Sequence, residues 1–150
     1  MLFRSGSARD PNIMEKDGIY YLVYLKGNSL YVSESHDLCR FENERRIFTG
    51  QENIFLESPI LKYIDGYYYL FYCIYDHRNQ VNGYYDSRTY VHAAPTLEGL
   101  NGSAQIAEFD AHAPELFQDE DGDWYLASVE WPSRGISIVP IKWINGDELV

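Results

Sequence analysis

The residues with the most chemistry to offer stand beside prolines. Arg9-Asp10-Pro11, Glu57-Ser58-Pro59 and His112-Ala113-Pro114-Glu115 each open a similar stretch of the chain. Together they bring carboxylates at Asp10, Glu57 and Glu115, a guanidinium at Arg9 and an imidazole at His112. Two carboxylates facing each other across a pocket can cleave a glycosidic bond, one protonating the leaving oxygen while the other attacks the sugar or activates water. Glu57 is the stronger candidate for the acid, because Glu has no advantage as a turn former and here opens an apolar strand. Asp10, directly before a proline, is also a residue type that builds Asx turns.

The elements that must position these groups repeat with them. Each proline leads to an Asp-Gly pair, at Asp17-Gly18, Asp65-Gly66 and Asp121-Gly122, followed by a strand rich in aromatic residues such as Tyr67-Tyr68-Tyr69-Leu70-Phe71-Tyr72. Asp-Gly accepts the positive φ angles of hairpin turns that match strand twist. From proline to turn glycine is seven residues in the first two copies and eight in the third.

Behind each hairpin the first two copies carry two further short strands. In the first these are Leu30 to Glu34 and Arg46 to Phe48. In the second they are Thr89 to Ala93 and Ala104 to Phe109, with Pro95 to Gly102 read as loop. The third copy shows strands at Glu115 to Gln118, Trp124 to Val129 and Ile136 to Val139. The expectation is an all-β chain with about three four-stranded blades of a β-propeller, at roughly 9–50, 57–110 and 112–150, in one incomplete domain spanning 1–150. A blade without a neighbour exposes its apolar side, so the chain either belongs to a longer protein or associates with another copy that covers the open faces.

In a propeller blade the first strand begins at one mouth of the channel and the hairpin lies at the other end. Arg9, Asp10, Glu57, His112 and Glu115 should therefore converge on one axial pocket, a setting suited to a polyhydroxylated ligand. Arg9 would hold a sugar hydroxyl or a carboxylate partner, or stand solvated. His112 would contact sugar or serve as a hydrogen-bonded structural histidine. Glu115 follows its proline, so it should point differently from Glu57. The insertion Ile74 to Asp86 offers Tyr75, His77, Arg78, Tyr84 and Tyr85 as rim subsites, or forms a plain long hairpin. Trp131, in the corresponding loop of the third copy, is a candidate stacking platform for sugar or a packing residue.

Twelve basic against twenty-three acidic residues give a net charge of −11, which repels phosphate backbones and argues against nucleic acid as a partner. No segment approaches the ~18 consecutive apolar residues of a membrane span, so no membrane partner is expected. Met1-Leu2-Phe3-Arg4-Ser5 lacks the apolar core of a signal peptide, which would make the chain, if complete, cytoplasmic. Cys39 and Cys73 fall in different repeats and read as two free thiols. No metal or cofactor motif is present in the sequence, and none is expected.

Arg9-Asp10-Pro11 followed one repeat later by Glu57-Ser58-Pro59 resembles the five-bladed propeller glycosidases of glycoside hydrolase families 32 and 43, which act on fructosides, arabinosides and xylosides. In family 32 an Arg-Asp-Pro motif supplies a transition-state stabiliser and a Glu-Cys-Pro motif the acid/base. The resemblance implies these roles for Asp10 and Glu57, with Ser58 in place of the cysteine. In family 43 an Asp in the blade before the acid tunes it, which implies a similar role for Asp10. In both families a further Asp, the nucleophile or base, comes from an earlier blade than any found here. The implied function is hydrolysis of furanosides or related sugars with Glu57 as general acid. A non-catalytic carbohydrate-binding or assembly module, or an inactive fragment of such an enzyme, is the alternative.

Overall fold

The computed structural model describes residues 7–81, 84–130 and 135–143. They form twelve strands in three consecutive antiparallel sheets. The first sheet runs in order β1 (Ala8–Lys16), β2 (Ile19–Lys26), β3 (Ser29–Ser35) and β4 (Glu42–Thr49). The second runs β5 (Ile54–Ile64), β6 (Tyr67–Val81), β8 (Thr89–Ala94) and β9 (Gln105–Phe109), with β7 (Tyr84–Asp86) pairing on the extension of β6. The third comprises β10 (His112–Gln118), β11 (Trp124–Glu130) and β12 (Gly135–Ile141). The innermost strands β1, β5 and β10 are neighbours, each the first strand of its sheet, which is the radial arrangement of propeller blades.

The turns follow from the Asp-Gly chemistry. Asp17 and Gly18 take φ of 54° and 76°, and Asp65 and Gly66 take 49° and 90°, so both central residues are left-handed as the twist-matched two-residue hairpin requires. The extra residue of the third copy changes the turn. There Asp119 accepts the amides of Asp121 and Asp123 on its carboxylate, Gly122 N–H returns to the Asp119 carbonyl, and only Gly122 is left-handed.

Two details refine the sequence reading. The insertion after Ile74 is a long hairpin built largely of strand rather than loop: β6 runs unbroken to Val81 and pairs back with β7 through Gln80 and Val81. The segment Pro95 to Gly102 ends in a short 3-10 turn, Glu98–Gly102, that buries Leu100. In the third repeat, three strands lie among the described residues.

Alternation along the strands sends one face of each sheet to a core. The core between the first and second sheets contains Val23, Leu25, Leu30, Val32, Leu56, Leu61 and Leu70. The core between the second and third contains Ile60, Phe71, Val91, Leu116 and Leu126. Trp143 closes the second core from outside, with its ring centroid 4.9 Å from Tyr69 and 5.2 Å from Trp124. The far face of the third sheet stays apolar: Phe117 stacks on Tyr125 at 5.5 Å, and Ile136 and Ile138 are 79% and 60% exposed.

His92 is buried at the edge of the first core. Its Nδ1 lies 3.0 Å from the Ser103 carbonyl, which can only accept, so Nδ1 carries the proton and Nε2 accepts from the Tyr72 hydroxyl, also 3.0 Å away. Both ring nitrogens are thus spent in the neutral form. Burial pushes its pKa below the ordinary 6.5, against a smaller opposing pull from Ser103. The unfolded chain then binds the proton more readily, so the contribution of His92 is complete above about pH 6.5 and is lost as pH falls toward its folded value. Urea unfolding of wild type and His92→Gln should show a less steep loss of stability below pH 6.5 in the variant, and equal slopes would contradict the assignment. Leu70→Ala, at a fully buried position of β6, should cost about 2–5 kcal/mol in the same measurement.

Candidate active site

The three proline motifs share one backbone device. Arg9 pairs with Leu25 and Asn12 with Val23, so Asp10 and Pro11 together oppose one residue of β2. The same two-against-one register recurs at Ser58-Pro59 between Glu57 and Ile60, and at Ala113-Pro114 between His112 and Glu115. These are β-bulges. Proline has no N–H for the ladder, and the residue before it takes a left-handed conformation: φ is 55° at Asp10, 46° at Ser58 and 47° at Ala113. The bulge also re-phases the strand. Leu56 and Leu61 are five residues apart, an odd spacing that would place them on opposite faces of a regular strand, yet both enter the same core.

Left-handed φ at a non-glycine residue costs about 1 kcal/mol or more, and each downstream bulge is held by an acceptor from the preceding sheet. Ser58 N–H donates to Asp10 Oδ2 at 3.1 Å, and Ala113 N–H donates to Cys73 Sγ at 3.0 Å. Thr89 adds a second tie to the third sheet by donating its hydroxyl to the Ala111 carbonyl at 2.8 Å. Burial raises the Cys73 thiol to about 11, so it stays protonated and serves as packing and acceptor. Cys39 and Cys73 are both free.

The bulges place Arg9, Glu57 and His112 at equivalent positions of the three inner strands. Arg9 bridges the first two sheets. Its guanidinium donates to Asp10 Oδ2 at 2.6 Å, to the Leu56 carbonyl at 2.9 Å and, at the long limit, to Glu57 Oε1 at 3.5 Å. Arg9, Asp10 and Glu57 side chains keep 44%, 30% and 31% of their surface exposed, so the ion pairs contribute at most about 1 kcal/mol to stability. Their consequence is geometric: one cation fixes the relative placement of two carboxylates. Asp10 therefore does two jobs at once, pairing with Arg9 and holding the bulge that aims Glu57.

The remaining described candidates lie on β10 and on the outer part of β6. His112 is half-buried at the third bulge, opposite Val129 in register. Glu115 is exposed, in the position that Asn12 and Ile60 occupy in the other two sheets. It acts on Lys62, whose pKa is lowered by burial and partly restored by the Glu115 charge. Tyr75 stands opposite Phe55, two residues outward from the Glu57–Cys73 pair. Arg78 is spent on the buried Asp76 carboxylate, at 3.1 and 3.3 Å. The side chains of His77, Tyr84 and Tyr85, and the whole of Trp131, lie outside the described residues. Among the described residues, no group of three or more His, Cys, Asp and Glu is placed to hold a metal ion, and no helix is long and apolar enough to cross a membrane.

Two residues of this region escaped the sequence reading. Phe55 is 45% exposed and alternates with Glu57 on β5, a spacing that would have marked it had the strand been started before Glu57. Asn28 stands in the tight turn between β2 and β3. Its side chain donates to the Gln51 and Ile54 carbonyls at 3.2 and 2.8 Å and accepts from Leu56 N–H at 3.0 Å, which pins the crossover leading into β5. Nothing local in Lys26-Gly27-Asn28 signals partners in another sheet.

Residues 3–146 match the model of glycosyl hydrolases family 43. The chain belongs to this family. A comparison with curated proteins finds no match. Among solved structures it resembles an exo-β-1,3-galactanase from Clostridium thermocellum, with 16% identity and a TM-score of 0.71 over 91% of this chain and 34% of that one. It also resembles an endo-arabinase from Bacteroides thetaiotaomicron, with 16% identity and a TM-score of 0.69 over 96% of this chain and 60% of that one. A xylan β-1,4-xylosidase from Bacillus halodurans is 22% identical, with a TM-score of 0.64 over 94% of this chain and 30% of that one. The family 43 chain thus spans about a third to three-fifths of the length of these structures, and its fold is a three-blade portion of their propeller. The likeness to family 32 rests on the motif residues alone.

Asp10→Ala removes the acceptor of Ser58 N–H and the partner of Arg9, whereas Asp10→Asn keeps an oxygen for the amide. Urea unfolding should place Asp10→Ala about 1–3 kcal/mol below wild type and Asp10→Asn between the two. Equal stability of all three would remove the bulge-holding role.

Proposed function

We propose that this family 43 chain takes part in glycoside hydrolysis with Glu57 as the proton donor. The observation that carries the reading is the Arg9–Asp10–Glu57 cluster. A half-exposed carboxylate is presented by a bulge, oriented by a guanidinium and backed by a second carboxylate, at matching ends of adjacent inner strands. A general acid must be reachable by the leaving oxygen yet fixed in place, and Glu57 meets both demands.

Asp10 is committed to Ser58 N–H and Arg9, which suits a residue that positions and electrostatically tunes the acid better than one that attacks the sugar. The group that attacks or activates water is then a further carboxylate, from another blade or a second copy. Phe55 and Tyr75, side by side in register outward of Glu57, would flank the sugar accepting the proton. His112 and Arg9 would contact its hydroxyls, and Trp131 remains a candidate stacking residue. Furanosides of arabinose, xylosides and fructosides are the substrates to try first. Galactan, arabinan and xylan enzymes among the structural neighbours make polymers of these sugars the next substrates to try.

A carbohydrate-binding module without turnover is the second reading. It is favoured by the engagement of Asp10, which leaves Glu57, whose contact with Arg9 lies at the 3.5 Å limit, as the other carboxylate of the cluster. The two readings separate in one experiment. Initial rates on aryl arabinofuranosides, xylosides and fructosides should fall about 10²–10⁴-fold in Glu57→Gln relative to wild type. Equal rates in the two proteins would remove Glu57 as the acid, and sugar binding by calorimetry without any hydrolysis would establish the binding module instead.

A further inference from the structure

On the side of β5 away from Glu57, between the first and second sheets, lies a cavity of about 390 Å³. One wall is aromatic. Phe48 sits 4.9 Å from Tyr72 and 4.8 Å from His92, ring centroid to centroid, and Tyr90 meets Tyr72 edge-on at 6.1 Å. The lining also carries carboxamides: Gln51 from the crossover into β5, Asn101 from the 3-10 turn and Gln105 from the start of β9. Ile54, Leu56 and Ile74 add apolar side chains to the lining.

The chemistry of this lining selects a ligand class. None of the lining residues is an Asp, Glu, Lys or Arg, in a chain with twenty-three acidic and twelve basic residues, and the one titratable imidazole, His92, is held neutral with both nitrogens occupied. An ionic ligand would find no counter-charge there. A wholly apolar ligand would take the exposed carboxamides of Gln51 and Asn101 out of water without replacing those hydrogen bonds. A ring with one apolar C–H face and a rim of hydroxyls satisfies both the aromatic and the carboxamide parts of the lining, and the volume lies within the range of small-ligand sites.

We propose that this groove is a second carbohydrate site, which holds a sugar unit of a polymeric substrate at a distance from the Arg9–Glu57 cluster. Successive residues of β5 serve the two sites: Leu56 faces the groove and Glu57 the cluster, while Arg9 grips the Leu56 carbonyl between them. A polysaccharide held in the groove raises the local concentration of its own linkages near the acid. The choice of polymer rests on the carbohydrate reading given above. The groove itself is argued from its lining alone.

The test uses the full chain with xylohexaose, arabinohexaose and β-1,3-linked galactohexaose as probes. Calorimetry compares wild type, Glu57→Gln and the double variant Asn101→Ala/Gln105→Ala, whose altered side chains are solvent-exposed. Methyl NMR follows Ile54, Leu56 and Ile74. The proposal expects one hexasaccharide to bind wild type and Glu57→Gln alike and to shift the Ile54 and Ile74 methyls. It also expects affinity to fall about tenfold in the double variant, with aryl-glycoside hydrolysis unchanged. Equal affinity of wild type and double variant without those methyl shifts overturns the groove and leaves the acid assignment intact. Hydrolysis of aryl glycosides with no hexasaccharide binding also overturns the groove alone. Neither binding nor hydrolysis overturns both readings.

Discussion

The hydrogen bond from Ser58 N–H to Asp10 Oδ2 is the contact on which the candidate site depends. A β-strand with regular alternation would aim the residue before each proline according to its own sheet. The bulge breaks that alternation at a cost in backbone energy, and the amide it exposes needs a partner. The partner is Asp10 of the preceding sheet, 48 positions before Ser58, so the direction of Glu57 is set from outside its own sheet. The next bulge repeats the logic with Cys73 Sγ in place of a carboxylate. Each sheet thus orients the first strand of the one after it, and the site is a property of neighbouring blades rather than of any blade.

Arg9 extends the same principle to charge. A guanidinium with five donors in a plane can serve a carboxylate, a carbonyl and a second carboxylate at once, and here it does so across the joint between sheets. Because the cluster is partly exposed, its net contribution to stability is small. What it supplies is order: two acidic side chains that would otherwise repel are kept in one arrangement. The cost of separating the sheets falls instead on the two apolar cores, where the large buried residues of β5 and β6 divide between both sides of the second sheet. The uncovered apolar face of the third sheet, with Ile136 and Ile138 outward, is a surface of the same kind without its neighbour among the described residues.

Much of the architecture was legible in sequence because it is encoded locally. Asp-Gly pairs set the hairpins through φ, the aromatic strands set their own alternation, and their recurrence announced the sheets. The three proline motifs were readable for the same reason, as short runs. Residues whose roles depend on a partner in another sheet were not. Asn28 gives no local sign that it clamps the crossover into β5, and Phe55 was passed over because the strand was taken to begin at Glu57. The insertion after Ile74 carries a local hairpin signal in Asn82-Gly83, but how far β6 extends and which of its residues pair with β7 depends on cross-strand partners.

By itself the sequence determined that the chain is built of repeated antiparallel sheets and that Arg9, Glu57 and His112 are counterparts, since both follow from residue type and spacing. Only the tertiary structure decided that Asp10 is engaged by Ser58 and Arg9, that Glu115 acts on Lys62 instead of joining Glu57, and that an uncharged groove lies behind β5. The physical reason is the bulge. One extra residue reverses the facing of every side chain upstream of it, and which way that reversal is held depends on an acceptor supplied from a different sheet.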